Sequence, residues 1–363
     1  MQRRKFLRSA ALAGAGTAAA TIAAPAISQG KKEITIVSTW PRDFPGLGLS
    51  AQRLAARIPE LSEGRLTTKY FAAGERVGAF DVFDEVAGGN AQAYIGADYY
   101  WKGKHPGLAY FTSVPFGMTS LEWNAWIKYG GGQALWDKVS GEFGLKSISC
   151  GGTGTQMGGW FNKEIETADD LKGLKFRMPG LGGDVLAKLG ASVVSLPGGQ
   201  IYENLVSGSL DATEWVGPYN DYFMKFYEAA KIYYAPGFHE PGGGIAFGMN
   251  LKFWGSLSAW EKAVITTACN EENANGYEEA QALNGKYLTR LINDHGVKVR
   301  TFSDEIYDSF GEGWKEVKEE TRAHSPLAKQ IVDEFDVALK EIGGYQKIAE
   351  IGYSVQRNRV LGI

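Results

Sequence analysis

Residues 33–38, Glu33-Ile34-Thr35-Ile36-Val37-Ser38, form an apolar strand pattern that opens a regular alternation of short strands and amphipathic helices. The predicted elements that follow are a helix over 50–61, a strand over 65–70, a helix over 79–87 and strands over 93–96 and 109–111. Strands and helices that alternate at this pitch are typical of βαβ units on a mostly parallel sheet. The sequence therefore predicts an α/β fold.

The same alternation starts again in the middle of the chain. A glycine-rich extended segment at 147–160 precedes strands predicted over 175–178 and 212–216, and a second one follows at 242–249. Strands that cross between two lobes need the backbone freedom that glycine supplies. Ordinary strand or loop glycines are the alternative interpretation of these segments alone. The pattern favours two α/β lobes with a cleft between them.

A long helix and a helical C-terminal segment complete the predicted organisation. Ser258, with Glu261 three residues later, forms a capping signal for a helix that runs to about His295. The predicted parts are an export signal at 1–28, lobe I with the connecting helix at 29–153 plus about 245–295, lobe II at 154–244, and a C-terminal helical segment at about 296–363 that packs on the lobes or on a partner subunit.

The first 28 residues have the features of an export signal. Arg3-Arg4-Lys5-Phe6-Leu7-Arg8 precedes an uncharged run from Ser9 to Ile27, and Ala26-Ile27-Ser28 offers a small-residue cleavage site. The paired arginines favour the twin-arginine route. An N-terminal membrane anchor is the alternative, but this run is weakly apolar for a span. We expect an exported, periplasmic protein.

Composition excludes several classes of function. The net charge of −3 gives no electrostatic footprint for nucleic acid. The four histidines are scattered, which argues against a histidine-rich zinc site.

Two glycine-rich stretches do not match known nucleotide-binding motifs. Gly151-Gly152-Thr153-Gly154-Thr155 lacks the lysine of a phosphate loop, and Gly180-Leu181-Gly182-Gly183-Asp184-Val185 has valine in place of the third glycine of a dinucleotide fingerprint. Cys150 and Cys269 could pair or remain buried thiols.

Three charged residues are candidates for binding. Arg177 ends a short predicted strand just before a glycine-rich stretch, where a planar guanidinium suits a carboxylate, although a surface salt bridge is the alternative. Glu214 lies in a segment flanked by apolar residues, and Glu240 enters the second glycine-rich segment. Two carboxylates that converge on one cleft repel each other unless a cation or a shared proton intervenes. Oxygen ligands of this kind suit calcium or sodium rather than zinc.

These segments resemble a known family. The order Asp169-Asp170-Leu171-Lys172-Gly173-Leu174-Lys175-Phe176-Arg177, then Leu196-Pro197 with Tyr202 and Gly208, then Asp211 to Glu214, is similar to the extracytoplasmic solute receptors of tripartite ATP-independent periplasmic (TRAP) transporters. The resemblance extends over essentially the whole chain after the signal. It implies a two-lobed periplasmic-binding-protein-like fold, with crossing strands and a long helix, in which Arg177 binds the substrate carboxylate.

One departure from the common family pattern points to a subgroup. Many members have Asp-Gly-x-Glu-Asn where this chain has Asp211-Ala212-Thr213-Glu214-Trp215. Together with Gln156 and Glu240, this segment resembles receptors that bind 2-oxo acids or lactate with a metal ion. The resemblance implies that Gln156, Glu214 and Glu240 bind the cation through side-chain oxygens and Trp215 through its backbone carbonyl. It implies that Gln156, Trp215 and Glu240 also contact the acid. Among the aromatic residues, we expect Tyr100 to form part of an apolar wall at the ligand.

The resulting prediction is a periplasmic receptor, not an enzyme, that captures a pyruvate- or lactate-type monocarboxylate with a sodium or calcium ion and delivers it to TRAP membrane subunits. One alternative is a metal-independent receptor for another organic acid. Another is a periplasmic hydrolase that uses Glu214 and Glu240 as an acid–base pair. The long C-terminal segment, and the dimers known in the resembling subgroup, predict a homodimer.

Overall fold

The computed structural model describes residues 30–363, so the predicted export signal at 1–28 lies outside the described residues. One sheet has five strands in the order β2-β1-β3-β10-β4. These strands are β1 (Lys32–Ser38), β2 (Leu66–Phe71), β3 (Ala93–Gly96), β4 (Leu145–Gly152) and β10 (Gly244–Asn250). Strand β1 is parallel to β2 and β3, and β10 is antiparallel to β3 and β4.

A second sheet has six strands in the order β11-β9-β5-β8-β6-β7. Its strands are β5 (Gly159–Phe161), β6 (Lys175–Arg177), β7 (Ser192–Val194), β8 (Ala212–Thr213), β9 (Ile232–Tyr234) and β11 (Lys298–Arg300). Strand β5 is antiparallel to β8 and β9, whereas β6 is parallel to β7 and β8. In each of these two sheets, only the strand that enters from the other sheet runs against its neighbours, so both sheets are mostly parallel, as predicted, with one antiparallel strand each.

Helices cover these sheets. They are α1 (Leu47–Leu61), α2 (Val82–Ala87), α3 (Ser120–Tyr129), α4 (Gly132–Gly141), α5 (Gly180–Lys188), α6 (Gly198–Val206), α7 (Pro218–Met224), α8 (Phe226–Ala229), α9 (Leu251–Ser256), α10 (Ala259–His295), α11 (Asp304–Ala323), α12 (Pro326–Ile348) and α13 (Glu350–Leu361), with 3-10 turns at Asp98–Trp101, Pro106–Phe111 and Ala168–Leu171. None of the helices within residues 30–363 has the length and apolar character needed to cross a membrane.

Helix α10 begins where the sequence predicts. The Ser258 hydroxyl accepts a 3.2 Å hydrogen bond from the Glu261 amide, and the Glu261 carboxylate accepts a 2.6 Å bond from the Ser258 amide. The helix ends at Gly296, whose positive φ of 65° suits glycine. Helix α10 packs on β4 of the first sheet and on α7 beside the second, so one long helix supports both halves of the molecule. The predicted two-lobed α/β fold is confirmed.

The chain passes between the sheets through two short segments. Residues 153–158 connect β4 to β5, and residues 235–243 connect β9 to β10. The two segments are bonded to each other: the Thr153 amide donates to the Gly243 carbonyl at 3.0 Å, and the Gln156 amide donates to the Glu240 carbonyl at 2.9 Å. Residues on these segments therefore lie together at the junction of the two sheets.

Two sequence-based expectations are settled by the packing. The strand predicted over 109–111 is wrong, because these residues belong to the 3-10 turn Pro106–Phe111. All of Leu108 to Phe111 are buried, and a short apolar run that is buried on every side carries no periodicity to distinguish a strand from a turn. Cys150 and Cys269 are buried free thiols rather than a disulfide.

Candidate functional site

The crossing segments carry a group of buried polar side chains that includes Gln156, His239 and Glu240. Gln156 belongs to the first, and His239 and Glu240 belong to the second; all three are buried. The Gln156 side-chain nitrogen donates to Oε2 of Glu240 at 2.6 Å and to the Thr153 hydroxyl at 3.2 Å. The backbone bonds between the segments set the register in which Gln156 and Glu240 meet. The contact between Gln156 and Glu240 therefore depends on how the two connecting segments are paired at the junction of the sheets.

A buried ion pair comes to the same place from the second sheet. Arg177 is the last residue of β6, and Glu214 follows β8, its neighbour. Nη1 of Arg177 bonds to Oε1 of Glu214 and, at 3.3 Å, to its carbonyl oxygen. Nε of Arg177 donates to the Leu196 carbonyl at 3.1 Å. The exposed fractions are 1% for Arg177 and 0% for Glu214, so neither charge is solvated.

Several polar atoms of these side chains have no hydrogen-bond partner within the described residues. Three are oxygens: Oε1 of Gln156, Oε2 of Glu214 and Oε1 of Glu240. Two are donors: Nη2 of Arg177 and Nε1 of Trp215. Buried polar groups without partners are rare in native proteins because each carries a desolvation cost. Such a cluster is suited to bind a cation through the oxygens and an anion through the donors at the same time.

Electrostatics at the site favour an additional positive charge. Burial raises the pKa of Glu240 well above its usual value, and the nearby Glu214 carboxylate raises it further. Burial lowers the pKa of Arg177, but the combined effect of nearby acidic groups, Glu214 first among them, is larger and raises the pKa above its usual value. Within this group the one guanidinium faces two carboxylates. A cation beside Glu214 and Glu240 would remove the repulsion between them.

Aromatic side chains form walls of the same cavity. Its lining includes Tyr100, Trp215, Gln156 and Glu240. The Tyr100 ring packs on Tyr99 at 4.8 Å between centroids, and the Arg177 guanidinium lies 5.2 Å from the centre of the Trp215 ring. The structure therefore brings all six predicted site residues into one neighbourhood: Gln156, Arg177, Glu214, Trp215, Glu240 and Tyr100.

His239 lies in the same cluster as Glu214 and Glu240, although the sequence did not single it out as a candidate. Its Nε2 lies 3.4 Å from Oε2 of Glu214, and ligand atoms of Glu214, His239 and Glu240 all lie within 4.8 Å of one another. Neither ring nitrogen has a hydrogen-bond partner within the described residues. A single histidine beside apolar residues carries no pattern of its own. The only available signal was its position next to Glu240.

Comparison with known proteins places the chain in a family. The model of the bacterial extracellular solute-binding proteins, family 7, also called DctP, matches residues 36–324. The chain belongs to this family. A monocarboxylate 2-oxoacid-binding periplasmic protein of Nostoc sp. (strain PCC 7120) is 37% identical over 358 residues, which cover 97% of this chain and 98% of that protein. The chain therefore aligns with this relative over almost the full length of both proteins.

Solved structures of TRAP periplasmic solute-binding proteins resemble the receptor closely. That of Colwellia psychrerythraea, with bound calcium and pyruvate, is 36% identical and covers 90% of this chain and 99% of its own, with a TM-score of 0.87. That of Pseudoalteromonas atlantica, with bound sodium and pyruvate, is 37% identical, with coverages of 89% and 98% and a TM-score of 0.86. A dimeric one from Bordetella bronchiseptica, with copurified calcium and picolinate, is 30% identical, with coverages of 92% and 99% and a TM-score of 0.89.

Proposed function

We propose that this receptor captures a small 2-oxo or 2-hydroxy monocarboxylate, of the pyruvate or lactate type, together with a calcium or sodium ion. Arg177 would bind the carboxylate of the acid through its unpaired Nη2. Gln156, Glu214 and Glu240 would hold the cation through their unpaired oxygens, and Trp215 through its backbone carbonyl. Tyr100 would form the wall beside the acid. Three relatives support this assignment. Two solved structures contain pyruvate, one with calcium and one with sodium, and the Nostoc relative is named as a 2-oxoacid-binding protein.

One observation carries the proposal: three unpaired buried oxygens lie beside an arginine that has an unpaired nitrogen. A metal-independent receptor for an organic acid would have no use for the oxygens. The two carboxylates, the arginine and an anionic ligand together leave two negative charges uncompensated. A divalent ion would neutralise them, whereas sodium would leave one, so the charge count favours calcium.

Titration calorimetry of the purified protein tests the proposal. Pyruvate and lactate are titrated with calcium, with sodium, and after exhaustive chelation in sodium-free buffer. Because acid and cation share one cleft, each should raise the affinity of the other by the same factor. We therefore expect strong acid binding with a cation and at least tenfold weaker binding without one. Equal affinity in all three buffers would contradict the cation site and favour the metal-independent receptor.

We propose that binding leads to no chemical change. The alternative, hydrolysis by Glu214 and Glu240 as an acid–base pair, needs room between the carboxylates for a glycosidic bond and water. Here Glu240 is tied to Gln156 and Glu214 to Arg177, and both are buried. Incubation of pyruvate, lactate and model glycosides with the protein should yield saturable binding and no product by mass spectrometry. Any enzyme-dependent product would overturn this part of the proposal.

We further propose that the protein works in the periplasm, after twin-arginine export directed by residues 1–28, and delivers its ligand to TRAP membrane subunits. Residues 29–153 with 245–295 would move as lobe I against residues 154–244 as lobe II. The periplasmic name of the Nostoc relative supports the location, and membership of the family supports the transport role. Fractionation of cells with an intact signal, or with Arg3 and Arg4 replaced by lysine, tests the route.

The C-terminal helix supports a homodimer. No residue of α13 is buried, although Ile351, Tyr353, Val355 and Val360 are apolar. We propose that this helix packs on a second copy, and the relative from Bordetella bronchiseptica is described as a dimer. Sedimentation at tens of micromolar should give a dimer for the full chain and a monomer for the Ile351→Glu, Val355→Glu variant. A monomeric full chain would contradict the proposal.

A further inference from the structure

The ligand site is closed in this conformation. The exposed fractions of Arg177, Glu214 and Glu240 are 1%, 0% and 3%. A carboxylic acid cannot reach these groups unless the two halves of the molecule separate at the cleft. Every polar contact that spans the cleft must then break when a ligand enters or leaves. Such contacts affect the lifetime of the bound state even where they do not touch the ligand.

One such contact is formed by Lys102. This residue follows the 3-10 turn Asp98–Trp101, which comes directly after β3 of the first sheet. Its Nζ lies 2.5 Å from Oδ1 of Asp184 and donates a 2.9 Å hydrogen bond to the Gly180 carbonyl. Asp184 and Gly180 belong to α5, which packs on β7 of the second sheet. Lys102 therefore joins the two halves of the molecule at the edge of the cleft.

The backbone at Gly180 allows this close approach. Gly180 has a positive φ of 67°, and a Cβ atom there would lie 2.6 Å from Cδ2 of Tyr99. Any side chain at this position would be strained and would also force the Tyr99 ring to move. Lys102 lies two residues after Tyr100, and Gly180 three residues after Arg177. The contact thus connects two segments that also supply residues to the proposed ligand site.

We propose that Lys102 and Asp184 form a clasp that holds the cleft closed and lengthens the lifetime of the bound ligand. The proposal rests on the proposed function for its choice of ligand. The two side chains are 29% and 44% exposed, so water can solvate both when the cleft opens. Exposed ion pairs of this kind contribute little free energy, and their loss changes an equilibrium constant by about two- to fivefold. The pair forms only on closure, so its loss should raise the dissociation rate and leave the association rate unchanged.

Stopped-flow measurement of pyruvate release in the presence of calcium tests the clasp. We expect Lys102→Gln and Asp184→Asn each to raise the dissociation rate about two- to fivefold, with the larger effect for Lys102→Gln, which also loses the bond to Gly180. The double variant should match Lys102→Gln, because the shared contact can be lost only once. An unchanged dissociation rate in both single variants would overturn the proposal.

The chain contains a matched control. Lys104 pairs with Asp84 on α2 at 2.7 Å, with exposed fractions of 34% and 64%, and both residues lie on the first-sheet side. Lys104→Gln removes an exposed Lys–Asp pair of similar geometry that does not span the cleft. It should leave the dissociation rate at the wild-type value. A rise equal to that of Lys102→Gln would show a general charge effect and overturn the clasp.

A second readout does not depend on the identity of the ligand. Dyes on Lys128→Cys and Ser207→Cys, one on each side of the cleft, report opening by energy transfer, since both native cysteines are buried. Without any ligand, Lys102→Gln should lower the fraction of closed molecules. If wild-type protein binds no pyruvate, the proposed function fails, and this measurement alone decides the clasp. An unchanged closed fraction would then overturn it.

Discussion

The side-chain nitrogen of Gln156 donates a 2.6 Å hydrogen bond to Oε2 of Glu240, between the two segments that connect the sheets. A backbone bond of 2.9 Å joins the same two residues. Because the amide nitrogen is the donor, Oε1 of Gln156 and Oε1 of Glu240 are both left without a partner. In the proposed cation site, this one contact would leave two oxygens free for the ion and hold them at the junction about which the lobes would move.

The first prediction concerns the charge at this contact. Glu240→Gln keeps the shape of the side chain but removes one of the two carboxylates proposed as cation ligands. We expect calcium affinity to fall at least about tenfold, because hard cations depend on charged oxygen ligands. Acid affinity should fall by a similar factor with calcium present, and much less without it. Calorimetry in both buffers measures this, and unchanged calcium affinity would remove Glu240 from the site.

The second prediction concerns Arg177. We expect Arg177→Ala to weaken acid binding by about 100-fold or more, because a charge-assisted bond in a buried cleft is lost and Glu214 is left unpaired. Arg177→Lys should restore little, because an ammonium group cannot replace the contacts of Nε and Nη1 together with the proposed contact of Nη2 to the acid. Circular dichroism serves as the folding control. Near-native acid affinity in a folded alanine variant would contradict the role of Arg177.

Much of the fold could be predicted because local signals agreed with the final packing. The alternation that begins at 33–38 and the Ser258 cap are both local features, and both appear in the structure. The glycine-rich segments predicted the crossings but not the direction of the strands. Strands β5 and β10 run antiparallel to their neighbours. Their direction is set by the place where the chain re-enters a sheet, which is a property of the whole fold. Helices α3 and α4 were not predicted.

The candidate site was predictable only in part. Arg177 at a strand end and Glu214 in a segment flanked by apolar residues are visible as anomalies in the sequence, since a buried charge needs a partner. The sequence could not show that Arg177 and Glu214 pair with each other, because they are 37 positions apart in the chain. Their pairing arises from the parallel contact of β6 with β8. His239 gave no signal beyond its position next to Glu240, because one buried histidine is as common in cores as in sites.

The third prediction concerns His239. Its Nε2 lies 3.4 Å from Oε2 of Glu214, so the imidazole is placed to orient this carboxylate. Residues that orient a metal ligand commonly affect metal affinity by about tenfold or more. We expect His239→Phe to weaken calcium binding by about tenfold at saturating pyruvate, and His239→Gln, which retains a donor, to weaken it less. His105→Gln, at a buried histidine bonded to Ser325, is the control. Wild-type calcium affinity in His239→Phe would exclude this role.

The fourth prediction concerns stability and pH. Asp98 is fully buried and accepts 2.8 Å bonds from the Tyr94 hydroxyl and the Trp136 indole nitrogen. Burial raises the pKa of Asp98 from 3.8 to about 7, against the opposing effect of these two donors. The folded state therefore holds a proton on Asp98 at pH values where the unfolded chain has released it. The stabilisation is complete below the unfolded pKa and is lost as the pH rises towards about 7.

Urea unfolding between pH 4 and pH 8, in chelator, measures this effect. In wild-type protein, Asp98 should lower the free energy of unfolding by up to about 1.4 kcal/mol for each unit of pH between 3.8 and about 7. Asp98→Asn cannot titrate, so its stability should fall less steeply over the same range. The advantage of wild type over Asp98→Asn is therefore expected to be largest near pH 4 and to shrink as the pH rises. Parallel curves for the two proteins would mean that Asp98 keeps an ordinary pKa in the folded state.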